Sequence, residues 1–241
     1  MKAMILAAGT GSRLRPYTEY TPKALIEVGG KTMLEHNIDL LSCNGFDEII
    51  INIHHLAEQI KHFTEKSFAR KASITFSEET EKLLDTGGGV KNARWFFDKK
   101  EPFVVINVDV LSDLNLKEVL NYHQESASLA TLVVRRRDSS RFLYFNESNL
   151  LCGWENVKTK ERKIIRKDPK IKRFAFSGIQ ILEPSIFDFM PAKSVFSLIE
   201  LYLNIGNMQS IKGFIDDDSL WFDIGDSEKL ERARTFMKNK E

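Results

Sequence analysis

The feature that most constrains this chain is an apolar run, Lys2 to Ala8, that breaks off into Gly9-Thr10-Gly11-Ser12-Arg13-Leu14-Arg15-Pro16. A short apolar run bounded by a turn signal reads as a buried strand. A glycine-bearing turn directly behind it lets backbone N–H groups approach a phosphate chain. In open α/β sheets, ligands sit at the carboxyl ends of strands. The run is too short for a membrane span, which needs roughly 20 apolar residues. The turn with two arginines behind it does not resemble the cleavage region of a signal peptide.

Two common glycine motifs fail here. The dinucleotide fingerprint needs a third glycine where Leu14 stands, and the P-loop needs Gly-Lys where Leu14-Arg15 stand. What remains is two glycines with Arg13, Arg15 and, after Pro22, Lys23. Fixed cations near a strand end suit a triphosphate, since arginine forks across phosphate oxygens and lysine acts as a point charge. The formal net charge of +1 gives no whole-molecule field for nucleic acid or an anionic membrane, so an anionic substrate must be met locally. The only cysteines, Cys43 and Cys152, read as reduced thiols of a cytoplasmic protein rather than a disulfide framework or zinc site.

Strand-like and helix-period segments alternate through the first half. Strands are predicted at Lys2–Ala8, Glu48–Ile53, Ser73–Ser77 and Phe103–Val108, and helices at Thr32–Asn44, Leu56–Lys66, Val90–Phe97 and Leu116–Glu125. That alternation predicts an α/β fold with a mostly parallel sheet. The second half is less regular. Ala130–Arg135, Phe142–Phe145, Phe174–Leu182, Ile211–Ile215 and Leu220–Phe222 read as strands, and Ser194–Asn204 and Ser227–Lys238 as helices. Residues 146–172 are polar and carry no assignment. The runs Arg135-Arg136-Arg137 and Asp216-Asp217-Asp218 read as solvated.

A second glycine cluster, Thr86-Gly87-Gly88-Gly89, lies between a strand and a helix, where a close approach by a ligand is a natural reason for three residues without side chains. Two apolar strands end in acids, at Asp109 and at Asp223. A magnesium ion serving a triphosphate needs only one or two protein carboxylates, because phosphate oxygens and water complete its octahedron.

The stretch Leu6-Ala7-Ala8-Gly9-x-Gly11-x-Arg13-Leu14-Arg15-Pro16, then Thr18, Thr21-Pro22-Lys23 and Leu25, resembles the signature of the sugar-1-phosphate nucleotidyltransferase family. The Leu84 to Val90 segment and Ile51 to His62 resemble its small bacterial subgroup that includes N-acetylmuramate 1-phosphate uridylyltransferase and mannose-1-phosphate guanylyltransferase-like members. The resemblance implies a Rossmann-like, three-layer α/β/α fold of the nucleotide-diphospho-sugar transferase type, with a mostly parallel mixed central sheet. It implies one domain, 1–241, with a nucleotide-binding part at 1–126 and a sugar-binding part at 127–241.

By the same resemblance, Ala8, Gly9, Gly11, Arg13, Lys23, Thr86 and Gly87 contact the nucleotide, with Arg13 and Lys23 stabilising the reacting phosphates. Asn107 and Gly178 fall at the acceptor sugar phosphate, and Asp109 and Asp223 at the ligands of Mg²⁺. Val108 departs from the family, which has glycine there, and Asp226 stands where threonine or serine is usual. A side chain at Val108 is expected to narrow the nucleotide approach or shift the turn. The implied substrates are a nucleoside triphosphate, UTP by likeness at 86–90, and a sugar 1-phosphate, with no nucleic acid, membrane or obligatory protein partner. A guanylyltransferase for mannose 1-phosphate, a cytidylyltransferase and a non-catalytic nucleotide-sugar sensor are the alternatives; a dehydrogenase lacks its third glycine.

Overall fold

The computed structural model describes residues 1–67, 72–97 and 100–240. The chain opens with β1 (Lys2–Leu6), two short 3-10 turns at Ser12–Leu14 and Lys23–Leu25, and the hairpin of β2 (Glu27–Val28) and β3 (Lys31–Thr32). Helix α1 (Met33–Cys43) follows at once. Its start is written in the sequence: Thr32 Oγ1 accepts from Glu35 N–H while a Glu35 carboxylate oxygen accepts from Thr32 N–H, a reciprocal cap. Its end is equally specified. Gly45 takes φ +84, its N–H donates to Ser42, and Phe46 N–H donates to Leu41. That is the glycine-terminated motif by which many helices end.

Next come β4 (Glu48–Ile53), α2 (Ala57–Ser67), β5 (Ser73–Glu78), α3 (Asp85–Asn92), β6 (Phe103–Asn107), β7 (Val110–Ser112) and α4 (Leu116–Glu125). The remainder is β8 (Ala130–Arg135), β9 (Arg141–Phe145), β10 (Leu151–Asn156), β11 (Glu161–Ile164), β12 (Lys172–Leu182), α5 (Leu198–Ile205), β13 (Ile211–Ile215), β14 (Trp221–Asp223) and α6 (Ser227–Lys238). Among the described residues no helix is long and apolar enough to cross a membrane.

The chain divides into two compact units that do not follow chain order: residues 1–83, 105–114 and 219–241 form one, and 84–104 and 115–218 the other. In the first, β1 pairs in parallel with β4 and β4 with β5, while Val108 N–H, just past β6, reaches Leu6 O at 3.1 Å. The inner strand β4 reads Glu-Ile-Ile-Ile-Asn-Ile and is buried from Ile49 to Ile53, the near-continuous apolar pattern of a strand covered on both faces. In the second, β12 pairs antiparallel with β8 and β9, β9 with β10, and β10 with β11; β8 also pairs in parallel with β13. The fold is α/β, as the alternation predicts, and its sheet is mixed, as the family resemblance implies.

The structure corrects several local readings. Residues 146–172, unassigned from sequence, contain β10 and β11; β11 is exposed along its length, so it carries no apolar alternation to read. Helix α3 begins at Asp85 and includes all three glycines, which sequence places ahead of the helix. In β12 the register shifts between Phe176 and Gln180, and Gly178 takes φ +80: the strand is bulged there. The two charge runs expected to be solvated meet each other instead. Arg135 and Asp216 are both buried and pair at 3.8 Å, and Arg136 pairs with Asp217 through both its N–H and its guanidinium.

Candidate active site

The loop after β1 is fixed at both ends by groups in its own unit. Asn52, buried at the end of β4, accepts through Oδ1 from Ala7 N–H at 2.7 Å and Ala8 N–H at 3.4 Å, and its Nδ2 donates to the buried Glu79 at 2.7 Å. These bonds tie the end of β1 to the end of β4. Farther on, Gly11 takes φ +65, and Thr18 Oγ1 donates to Gly11 O at 2.7 Å. A Cβ on Gly11 would lie 2.8 Å from Thr18 Cγ2, so both backbone and space demand glycine there. Gly9 differs: a Cβ there would meet nothing within 4 Å, so the protein's own packing does not explain that glycine.

Leu14 is fully buried in a cluster with Ile26, Val28, Met33, Leu111, Ile224, Leu230 and Ala233. Three charged residues of interest are sequence neighbours of this cluster: Arg13 of Leu14, Asp223 of Ile224, and Lys229 of Leu230. One apolar core thus sets the positions of charges drawn from both ends of the chain.

The two strand-end acids meet in space. β7 and β14 form an antiparallel ribbon in which Asp223 lies opposite Val110, and Ile224 N–H donates to Asp109 O at 3.0 Å. Asp109 takes Lys23 Nζ on Oδ2 at 2.5 Å. Asp223 takes Lys229 Nζ at 2.8 Å on one oxygen and 2.9 Å on the other, and Gly225 N–H at 3.0 Å. A Cβ on Gly225 would stand 2.7 Å from Asp223 Oδ1 and 3.7 Å from Arg13 Nη2, which places the guanidinium and this carboxylate near one position that only glycine leaves open. Arg13, Lys23, Asp109 and Asp223 are therefore neighbours on one unit, as the motifs require.

Val108 is not the obstruction expected of it. It is buried, its backbone is outside the positive-φ set, and its carbonyl accepts from Asn37 Nδ2 at 3.2 Å. A position with ordinary φ does not need glycine, and a side chain turned into the core does not narrow a cleft.

Among the described residues no cluster of three or more acidic, histidine or cysteine side chains offers a dedicated metal cage. The donor set at Asp109 and Asp223 still suits magnesium, which takes hard oxygen ligands and commonly only one or two from protein. Both carboxylates are partly exposed, and each is already matched to a cation. A pair of anionic oxygens that attracts ammonium groups has the right charge for a divalent ion.

The other expected contacts lie in the second unit, Asn107 excepted, which ends β6. There Gly87 and Gly88 N–H both donate to Phe196 O, at 2.9 and 3.1 Å, and Thr86 Oγ1 accepts from Leu198 N–H at 3.0 Å. A Cβ on Gly88 would lie 2.1 Å from Ser194 O, and one on Gly87 2.4 Å from the Phe196 ring. The close approach that these glycines allow is made by the chain's own 194–198 segment.

Three functional neighbours escape a sequence reading: Asn52, Gly225 and Lys229. The signal for Asn52 is a lone amide in a strand that is otherwise apolar. For Lys229 it is Asp226, which caps α6 by accepting from Lys229 N–H at 3.0 Å and so fixes that lysine in the first turn beside Asp223.

This chain matches the nucleotidyl transferase family over residues 2–240 and belongs to it. It is 31% identical to N-acetylmuramate alpha-1-phosphate uridylyltransferase of Neisseria meningitidis serogroup B, covering 97% of each chain. It is 30% identical to UTP--glucose-1-phosphate uridylyltransferase of Synechocystis and 32% identical to mannose-1-phosphate guanylyltransferase 1 of Arabidopsis thaliana, over 93% of this chain in both cases. It spans only about three fifths of these last two, 60% and 61% of their lengths. Among solved structures, HddC from Yersinia pseudotuberculosis complexed with GMP-PN superposes with a TM-score of 0.78 at 23% identity, over 98% of both chains. The inositol-1-phosphate CTP transferase from T. maritima gives 0.76 at 17% identity, over 98% of this chain and 96% of that one. The fold is that of the nucleotide-diphospho-sugar transferases.

Proposed function

We propose that this chain transfers a nucleoside monophosphate from a nucleoside triphosphate to a sugar 1-phosphate, releasing pyrophosphate. One observation carries the reading: Asp109 and Asp223, far apart in sequence, are bridged by the Ile224–Asp109 bond with Lys23 and Arg13 beside them. In this reading Arg13 forks onto phosphate oxygens and Lys23 offers a point charge to the α-phosphate region. The loop at Ala8, Gly9 and Gly11 brings backbone close to the triphosphate. Asp109 and Asp223 would hold Mg²⁺, which when bound neutralises phosphate charge. The acceptor phosphate is ionised near neutral pH, so the protein needs no general base; it aligns two anions and screens their repulsion. Asn107 and Gly178 are proposed to face the sugar phosphate. Thr86 and Gly87, whose hydroxyl and N–H are engaged by residues 196–198, would bound the nucleotide by shape.

UTP and N-acetylmuramate 1-phosphate are the proposed pair, because the Neisseria relative matches along almost its full length. GTP with mannose 1-phosphate is the second reading, on the likeness to the Arabidopsis enzyme. A non-catalytic sensor is disfavoured by the presence of all four charged residues. Two free cysteines and triphosphate use fit a cytoplasmic enzyme. The test is a matrix of four triphosphates against several sugar 1-phosphates, with pyrophosphate as readout. Release with UTP and N-acetylmuramate 1-phosphate above all other pairs supports the proposal, a different best pair corrects the substrates, and release with none overturns it.

A further inference from the structure

Both carboxylates proposed for the metal already carry a lysine. Lys23 Nζ is 2.5 Å from Asp109, and Lys229 Nζ is 2.8 and 2.9 Å from the two oxygens of Asp223. The two contacts differ in kind. Lys23 touches one oxygen of Asp109, whereas Lys229 spans both oxygens of Asp223. Lys229 is also held from behind, because Asp226 Oδ2 lies 3.9 Å from its ammonium while Asp226 Oδ1 caps the backbone of the same residue. Leu230, fully buried, pins the turn that presents it. Arg13 lies beside Gly225 on the same unit.

We propose that Lys229 is a positioning residue that acts as an internal counter-ion: it neutralises Asp223 in the free protein, so that a divalent cation enters with the triphosphate rather than ahead of it. This rests on the assignment of Asp109 and Asp223 to a metal in the preceding reading. A cation brought to free protein must displace an ammonium from Asp223 and meets the positive charge of Lys23, Lys229 and Arg13, which the carboxylates of Asp109, Asp223 and Asp226 already match. A cation already chelated by phosphates brings its own anions, which give those displaced ammonium and guanidinium groups new partners. Asp226 keeps a partner within reach of Lys229 after it leaves Asp223. An acid at position 226 therefore serves the lysine as well as the helix.

The test measures manganese binding to the free protein, without nucleotide, by the electron paramagnetic resonance signal of unbound Mn²⁺. Wild type, Lys229→Met, Lys229→Arg and the double variant Lys229→Met/Asp223→Asn are compared, with thermal unfolding run on each to show that it folds. The expected result is that Lys229→Met binds Mn²⁺ about tenfold or more tightly than wild type. Lys229→Arg should bind as weakly as wild type, and the double variant should lose the gain. Equal affinity in wild type and Lys229→Met, or a gain that survives Asp223→Asn, overturns the proposal. A protein that releases no pyrophosphate in the substrate matrix but shows the Lys229→Met gain overturns the proposed activity and not the counter-ion. Release of pyrophosphate without that gain does the reverse.

Discussion

The two glycine-rich segments of this chain look alike in sequence and do opposite things in structure. At 9–11, Gly9 faces open space, while Gly11 is required by its positive φ and by Thr18. At 87–89, the glycines are buried inside α3, and at Gly87 and Gly88 the space that a side chain would fill is taken by Phe196 and Ser194. The N–H groups of Gly87 and Gly88, which a helix start would offer to an anion, are bonded to Phe196 O. Glycine richness therefore has two physical causes here, a surface left open and a backbone packed against backbone. Only the first points by itself to a ligand.

That contrast can be broken by substitution. The largest effect is expected at Gly88→Ala, where the new methyl would lie 2.1 Å from a backbone oxygen. Overpacking of this kind should cost about 3 kcal/mol or more, read as a lower urea midpoint; unchanged stability would show that the 194–198 segment yields freely. Next is Arg13→Ala. Removing a charge-stabilising donor should cut transfer about 10²-fold or more while leaving the urea midpoint in place, because the guanidinium is not part of the buried cluster that holds Leu14. Smaller again is Gly9→Ala. Stability should stay within about 0.5 kcal/mol, while the half-saturating triphosphate concentration rises several-fold. If Gly9→Ala destabilises and leaves substrate use intact, the two glycine segments are alike after all.

The smallest effect concerns the unit that holds 87–89. His123 is fully buried beside Thr131, Ser128 and Glu183, and burial lowers its pKa from 6.5 to about 4. The unfolded chain thus binds a proton that the folded chain refuses between these values. Stability is fully present above pH 6.5 and falls as pH drops towards 4, by about 1 kcal/mol between pH 7 and pH 5.5. Glu183, whose pKa burial raises, works against this by holding its proton in the fold. Urea midpoints measured across that range should show the slope, and His123→Gln should flatten it.

Much of the fold was legible because its signals are local. The Thr32–Glu35 cap, the Gly45 stop and the apolar β4 each act within a few residues, and α4, α6, β8 and β13 fall at the predicted bounds. The exposed β11 was not legible, since an edge strand with every side chain in solvent has no hydrophobic period. Nor was the pairing of Arg135–Arg136 with Asp216–Asp217, which depends on β8 and β13 lying side by side. At the site, Arg13, Lys23, Asp109 and Asp223 could be named from motifs and are found together. Asn52, Gly225 and Lys229 could not, because their roles exist only once strand ends and a helix start are brought within hydrogen-bond reach.

In the proposed function, Asp109, Asp223, Arg13 and Lys23 of one unit serve phosphoryl transfer. That role is tested most directly by following pyrophosphate release from wild type and from Asp109→Asn and Asp223→Asn, each with the best substrate pair of the matrix and each confirmed folded by circular dichroism. The account predicts steady release from wild type and loss of most turnover in both variants. Near-normal release from both would contradict it.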